Sequence, residues 1–153
     1  MHAQTQFSVF LINKPGVLAT VTEALGRAKV NVVALTLMDS MEHGVLRIVC
    51  DDSETARQVL GKAHDSWTET EVLLIELENN PGAFARVAKR LADEHINISY
   101  AYCTSGAHGG KTSAVFKVAD LGKAKRVLSS SASSKNEKAG RTVKTPTGRK
   151  GKA

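Results

Sequence analysis

Displacing the chain against itself by 66 residues superposes Asn13, Pro15, Gly16, Ala19, Val21, Leu25 and Asn31 on Asn79, Pro81, Gly82, Ala85, Val87, Leu91 and Asn97 without a gap. Seven identities in a 19-residue window mark a duplication. A duplicated chain of 153 residues reads as two like units of about 60 residues, not one larger domain. The second copy takes about three extra residues between Ser105 and Thr112, after which Cys50 and Asp51 align with Ala119 and Asp120.

The apolar pattern within each copy predicts the same element order. Residues 7–12 form a short apolar run ended by Asn13, Lys14, Pro15 and Gly16, which reads as a strand and a turn. Val17, Leu18, Val21, Leu25 and Ala28 then recur at three- and four-residue spacing, the stripe of a helix packed on one side. Residues 30–37 and 45–50 are rich in β-branched and apolar types and predict a hairpin. Asp51, Asp52 and Ser53 can cap a second helix over 54–62, with Ala56, Val59, Leu60 and Ala63 inward, and a last strand falls within 66–71.

The second copy repeats this with a strand at 72–78, a helix at 82–94 turning Phe84, Val87, Ala88 and Leu91 inward, a hairpin from 96–103 and 113–118, and a helix at 121–128. No segment follows that qualifies as its last strand, so that copy is expected to leave an edge open or to borrow a strand, for instance from another subunit. The expected class is α+β: two ferredoxin-like βαββαβ sandwiches, each an antiparallel sheet with helices on one face. Domain one covers 5–71 and domain two 72–128. Residues 129–153, mostly Ser, Lys, Gly and Thr, offer nothing to bury and are expected to be disordered.

The net charge of +6 comes from that tail. Through residue 128, 14 Lys and Arg are offset by 14 Asp and Glu, whereas the tail carries 7 Lys and Arg against Glu137 alone. The folded part thus shows no basic excess, and nucleic acid is not the expected partner. No apolar run approaches the roughly 20 residues that cross a bilayer, and residues 1–13 lack the features of a signal peptide, so a cytoplasmic location without membrane contact is expected. Cys50 and Cys103 stand alone in apolar contexts and read as buried free thiols, and no metal or cofactor site is expected.

The repeated Asn-x-Pro-Gly segment carries the most chemistry. It sets bare backbone donors at a helix start, where about half a positive charge from the macrodipole favours a carboxylate. Gly16 and Gly82 remove the Cβ that would hold a ligand off the backbone, and Asn13 and Asn79 add a donor and an acceptor for one amino acid's two charged groups. The plainer alternative, that Pro-Gly starts the helix and the asparagines cap turns, stays open on these residues alone.

Residues 7–60 and 72–128 both resemble ACT domains, which run from an Asn-x-Pro-Gly-Val-Leu-Ala-like segment to a Val-Asn-Ile-like one. The matching segments are Asn13, Lys14, Pro15, Gly16, Val17, Leu18 and Ala19 with Val30, Asn31 and Val32, and Asn79, Asn80, Pro81, Gly82, Ala83, Phe84 and Ala85 with Ile96, Asn97 and Ile98. The resemblance implies a regulatory module that binds a small amino acid between ACT domains, in a homodimer or higher homo-oligomer and with a possible enzyme partner. It implies Asn13 to Leu18 and Asn79 to Phe84 as loop contacts, with Asn31, Val32, Asn97 and Ile98 on the second strands facing them across an interface. Phosphoglycerate dehydrogenase's serine-binding ACT domain has a histidine two places before the first asparagine, where this chain has Leu11 and Leu77, so serine is not implied. Lys14 against Asn80 and Leu18 against Phe84 make the loops unequal, suited to one functional and one structural site.

Two other functions are expected to leave different traces. A regulatory subunit of an amino-acid biosynthetic enzyme is suggested by resemblance of the first copy to the start of the acetolactate synthase small subunit, though the second Pro-Gly argues against it. A nucleic-acid-associated regulator would rest on the tail alone. His43-Gly44 and His108-Gly109 read as exposed hairpin residues, the glycines of 106–110 as a flexible hairpin, and Trp67 as a cover over the seam between copies. No nucleophile, base and orienting group fall together, so no catalytic residue is expected and the chain reads as a non-enzyme.

Overall fold

The computed structural model describes residues 1–38, 43–63, 66–104 and 110–130. His108, Gly109 and the tail from residue 131 lie outside them, as do the expectations made there.

Ten elements follow one another: β1 (His2–Ile12), α1 (Val17–Arg27), β2 (Val32–Met38), β3 (His43–Cys50), α2 (Ser53–Ala63), β4 (Trp67–Glu78), α3 (Ala83–Asp93), β5 (Ile98–Cys103), β6 (Lys111–Val118) and α4 (Leu121–Ser129). The doubled strand–helix order is as the apolar periodicity predicts. The strands form a single six-stranded antiparallel sheet in the order β2-β3-β1-β4-β6-β5.

Two expected strands, at 66–71 and 72–78, are one continuous strand, β4. Its first half pairs with Val9 to Thr5 of β1 and completes the first copy; Val72, Leu73 and Leu74 lie opposite Gln4, Ala3 and His2. β1 starts five residues earlier than its apolar run because those residues fill the place of the second copy's missing last strand. That strand is supplied within the chain, and no second subunit is needed for it. Thr5 lies opposite Glu71, its own counterpart 66 residues on, so the axis relating the copies passes between these two.

Residues directly opposite in an antiparallel pair share a face, which sets Phe7, Val9 and Leu11 on the same side as Leu73 and Ile75. On that side Phe7, Val9, Leu46 and Ile48 pack with Val21, Leu25, Ala56 and Leu60 of α1 and α2. Leu73, Ile75, Ala114 and Phe116 pack with Leu91 of α3 and Ala124 of α4. All four helices therefore cover one face. Trp67 meets Phe7 edge-on at 5.8 Å and packs into the first core, not over the seam.

On the other face the sheet curls until β2 and β6 approach within 8 Å between Cα atoms, although three strands separate them in the order. Ala34, Val49, Val72, Leu74 and Val115 form a third cluster there without any helix over it. Gln6, a fully buried polar side chain, sits on this face. Its amide donates to Tyr100 Oη at 2.7 Å and accepts from Tyr102 Oη at 3.1 Å, while the Arg47 guanidinium lies 4.0 Å from the Tyr100 ring centre. The clasp ties β1 and β3 to β5, and burial pushes the Tyr102 hydroxyl pKa above its ordinary value.

The strand register corrects the alignment of the copies. Leu11 pairs with Gly44 and Leu77 with Thr112, so the second copy carries two extra residues before β6, not three, and Cys50 matches Val118. The caps agree: Asp52 accepts from Thr55 N and Asp120 from Lys123 N. Cys50 is buried, but Cys103 is exposed at the end of β5, which among the described residues is an edge strand.

Candidate functional site

Gly16 takes φ 87° and Gly82 φ 81°, a left-handed conformation in which an L side chain is strained, so each Asn-x-Pro-Gly segment turns sharply into its helix. Neither start has a side-chain cap. In the first copy Lys14 N donates to Ile12 O, Val17 N to Lys14 O, and Thr20 N and Oγ1 both donate to Gly16 O. This tight loop presents the helix start outward, toward the ends of β2 and β3.

A cleft of about 340 Å³ opens there, within the range of small-molecule sites. Asn13, Lys14, Val17 and Leu18 line it from the loop and helix, and Leu11 and Ile12 from β1. Leu37, Met38 and Gly44 close it from the ends of β2 and β3. None of these five was expected at a site; Leu11 and Ile12 simply precede Asn13 in the chain, whereas the nearness of Leu37, Met38 and Gly44 to the loop follows from strand pairing and leaves no local signal. A Cβ on Gly44 would come within 3.3 Å of Leu37 Cδ1 and Met38 O, so glycine keeps this wall thin. His43, beside it, is exposed as expected, but Gly44, expected exposed with it, is buried against Leu37 and Met38. Met38 also contacts Arg47, the cation stacked on Tyr100.

Asn31 and Val32 stand elsewhere. β1 and β2 both pair antiparallel with β3 and so run in the same direction, with Asn13 after the end of β1 and Asn31 before the start of β2. Within one copy they occupy opposite ends of the sheet. Asn31 N donates to Asp51 Oδ1 and its carbonyl accepts from Asp51 N, a clamp between β2 and the start of α2. Asn97 O accepts from Ala119 N in the same way, and Ile98 pairs with Val118.

The second loop is built from less apolar parts. Asn79 N donates to Gly110 O. Asn80 donates to Glu78 and accepts from Arg86 Nη2, both at 3.1 Å, and Arg86 lies 3.3 Å from where a Cβ on Gly82 would be. Ala83 is the buried residue at the start of α3, whereas Phe84, expected inward, is 39% exposed. It stacks on Phe116 at 5.0 Å between ring centres. Pro81 enters this turn as Pro15 does the first.

The ACT domain pair family model matches residues 2–138. The chain belongs to the ACT domain pair family. This ACT pair is similar to a solved protein of Bacteroides thetaiotaomicron, 31% identical over 85% of this chain and 89% of that one, with a TM-score of 0.78. It shares its fold with the aspartokinase alpha and beta subunits, at 21% identity, coverage of 85% and 93%, and a TM-score of 0.60. The ligand-free regulatory subunit of aspartate kinase from Thermus thermophilus matches at 15% identity, coverage of 85% and 97%, and a TM-score of 0.60. No curated protein matches the chain. Among the described residues no group of three or more His, Cys, Asp or Glu is placed to hold a metal, and no helix is long and apolar enough to cross a membrane.

Proposed function

We propose that this ACT pair is a cytoplasmic regulatory module, not a catalyst, that binds a small amino acid at the first copy's cleft and passes the bound state to an enzyme partner. The observation that carries this is the cleft itself, set against an uncapped helix start and lined by Asn13 and Lys14. The helix start and Lys14 suit a carboxylate, and the Asn13 amide supplies a donor and an acceptor beside it.

The site is completed between chains. The two copies of one chain join through β1 and β4, whereas the first cleft lies toward β2, an open sheet edge. That strand has no charged residue and no proline, and it exposes Leu35, Leu37 and Met38, the features of an edge that pairs. Antiparallel pairing of β2 with β2 of a second chain, centred near Leu35, brings Asn31 of one chain to the Met38 end of the other. A ligand gripped from both sides favours the paired state, and this population shift is the regulatory output. On this reading the second loop, with Asn79, Asn80 and Phe84, has a structural part, and the domains divide at residues 71 and 72 within β4.

Thermal denaturation of the full chain with each common amino acid at millimolar concentration tests this, since a ligand at 100 times its Kd stabilises by about 2.7 kcal/mol. At least one amino acid raises Tm, and sedimentation shows a dimer that Leu35→Lys dissociates. No rise with any of them rejects the reading.

A further inference from the structure

We infer that the amino acid taken by the first cleft has an apolar side chain, aliphatic or thioether, with its carboxylate paired to Lys14; this rests on the amino-acid reading above. Three observations carry it. First, the lining combines Leu11, Val17, Leu18, Leu37 and Met38 with the Asn13 amide and one cation, Lys14, both at the loop, and among its described residues no acid. Away from Asn13 at the loop, a polar side chain would give up water with no polar side chain among the described lining residues to replace it, whereas an aliphatic one meets Val17, Leu18, Leu37 and Met38.

Second, the copies differ at the positions where side-chain selectivity would be set. Strand register and the 66-residue offset match Ile12, Leu18 and Gly44 of the first copy with Glu78, Phe84 and Thr112 of the second. Thr112 hydrogen-bonds the Thr104 carbonyl, Glu78 holds Asn80, and Phe84 stacks on Phe116. The same backbone frame carries polar and aromatic groups already engaged with their own neighbours in one copy, and an open apolar cleft in the other. Duplication alone does not explain that contrast.

Third, Gly44 holds the far wall at a spacing that even one added methyl group would crowd, with Leu37 Cδ1 and Met38 O each 3.3 Å from its Cβ position. Gly44 and Leu37 thus line the cleft from the strands, whereas Lys14 is exposed and lines it from the loop. A ligand with its carboxylate at the loop and its side chain between Val17 and Leu37 uses both ends.

Isothermal titration of the full chain with leucine, isoleucine, valine and methionine, and separately with serine, asparagine, aspartate and lysine, tests the inference. At least one of the first four binds about tenfold or more tightly than every one of the second four. Lys14→Ala weakens that binding about tenfold without changing Tm, Lys14→Arg retains it, and Leu18→Phe, which imports the second copy's residue, abolishes it. A polar amino acid binding most tightly overturns the inference and leaves the amino-acid reading standing. Apolar binding unaffected by both Lys14→Ala and Leu18→Phe also overturns it, since the ligand then lies elsewhere. Binding of none of the eight overturns it, and the wider Tm screen separately decides the reading beneath it.

Discussion

Tyr102 donates a hydrogen bond of 3.1 Å to Gln6, joining β5 to β1 across two intervening strands. The bond is possible only because the sheet curls, and with the Tyr100 contact it satisfies a fully buried amide. Gln6→Leu leaves two tyrosine hydroxyls facing apolar surface and costs about 1–3 kcal/mol in urea denaturation. Adding Tyr100→Phe and Tyr102→Phe recovers part of that loss, since no unpaired group then remains. Equal or greater loss in the triple variant would show that the clasp is not what Gln6 contributes.

The start of β1 belongs, in packing terms, to the second copy. Residues 2–5 pair only with β4, and β1 begins to pair with β3 at Gln6. Ala3→Pro breaks the ladder opposite Leu73 and should raise amide hydrogen exchange in Val72 to Glu78 and in β6 before it does so in β2 and β3. Uniform deprotection across the sheet would contradict this division.

Phe84 stacks on Phe116 in the second copy at the position where Leu18 lines the cleft of the first. Phe84→Leu, which installs the first copy's residue, removes the ring pair and costs about 0.5–1.5 kcal/mol. Chemical denaturation monitored by circular dichroism measures it. Thermal upshifts with apolar amino acids stay as in the parent chain, because the first cleft is untouched.

Cys50 and Cys103 should separate cleanly by reactivity. Burial, then the charges of Asp51 and Asp52, push the Cys50 thiol from 9.0 up to about 11, whereas Cys103 is exposed. A disulfide reagent at pH 8 therefore modifies one thiol fast and the second only on unfolding. Because the folded-state value lies above the unfolded one, the contribution of Cys50 is fully present below pH 9 and is lost as pH rises toward 11. Cys50→Ala removes that alkaline decline even if it lowers stability overall, and an unchanged pH profile counts against it.

Much of this architecture is legible in the sequence alone. The stripe Val21 and Leu25 in α1 and the apolar runs of the strands predict elements that differ from the observed ones mostly at their ends. Asn13, Lys14, Val17 and Leu18 were readable as a site because the loop and helix start that hold them are contiguous in sequence. Leu37, Met38 and Gly44 were not, since β-strand residues facing a cleft and facing a core have the same alternation. Cys103 and Phe84 misled for a related reason: apolar character predicts burial, but exposure depends on whether another element lies beyond.

The sequence by itself determined the duplication, the order of strands and helices, and the two glycine-started helices, all of which rest on spacings of a few residues or on self-similarity. Only the tertiary structure decided that β4 serves both copies, that residues 2–5 fill the second copy's empty place, and that one loop opens on a cleft while the other is tied by Glu78, Asn80 and Arg86. Those outcomes depend on register and on which side chains meet across the sheet. A shift of one residue in register would reverse the faces, so pairing partners distant in the chain, and not local preference, set where the site lies.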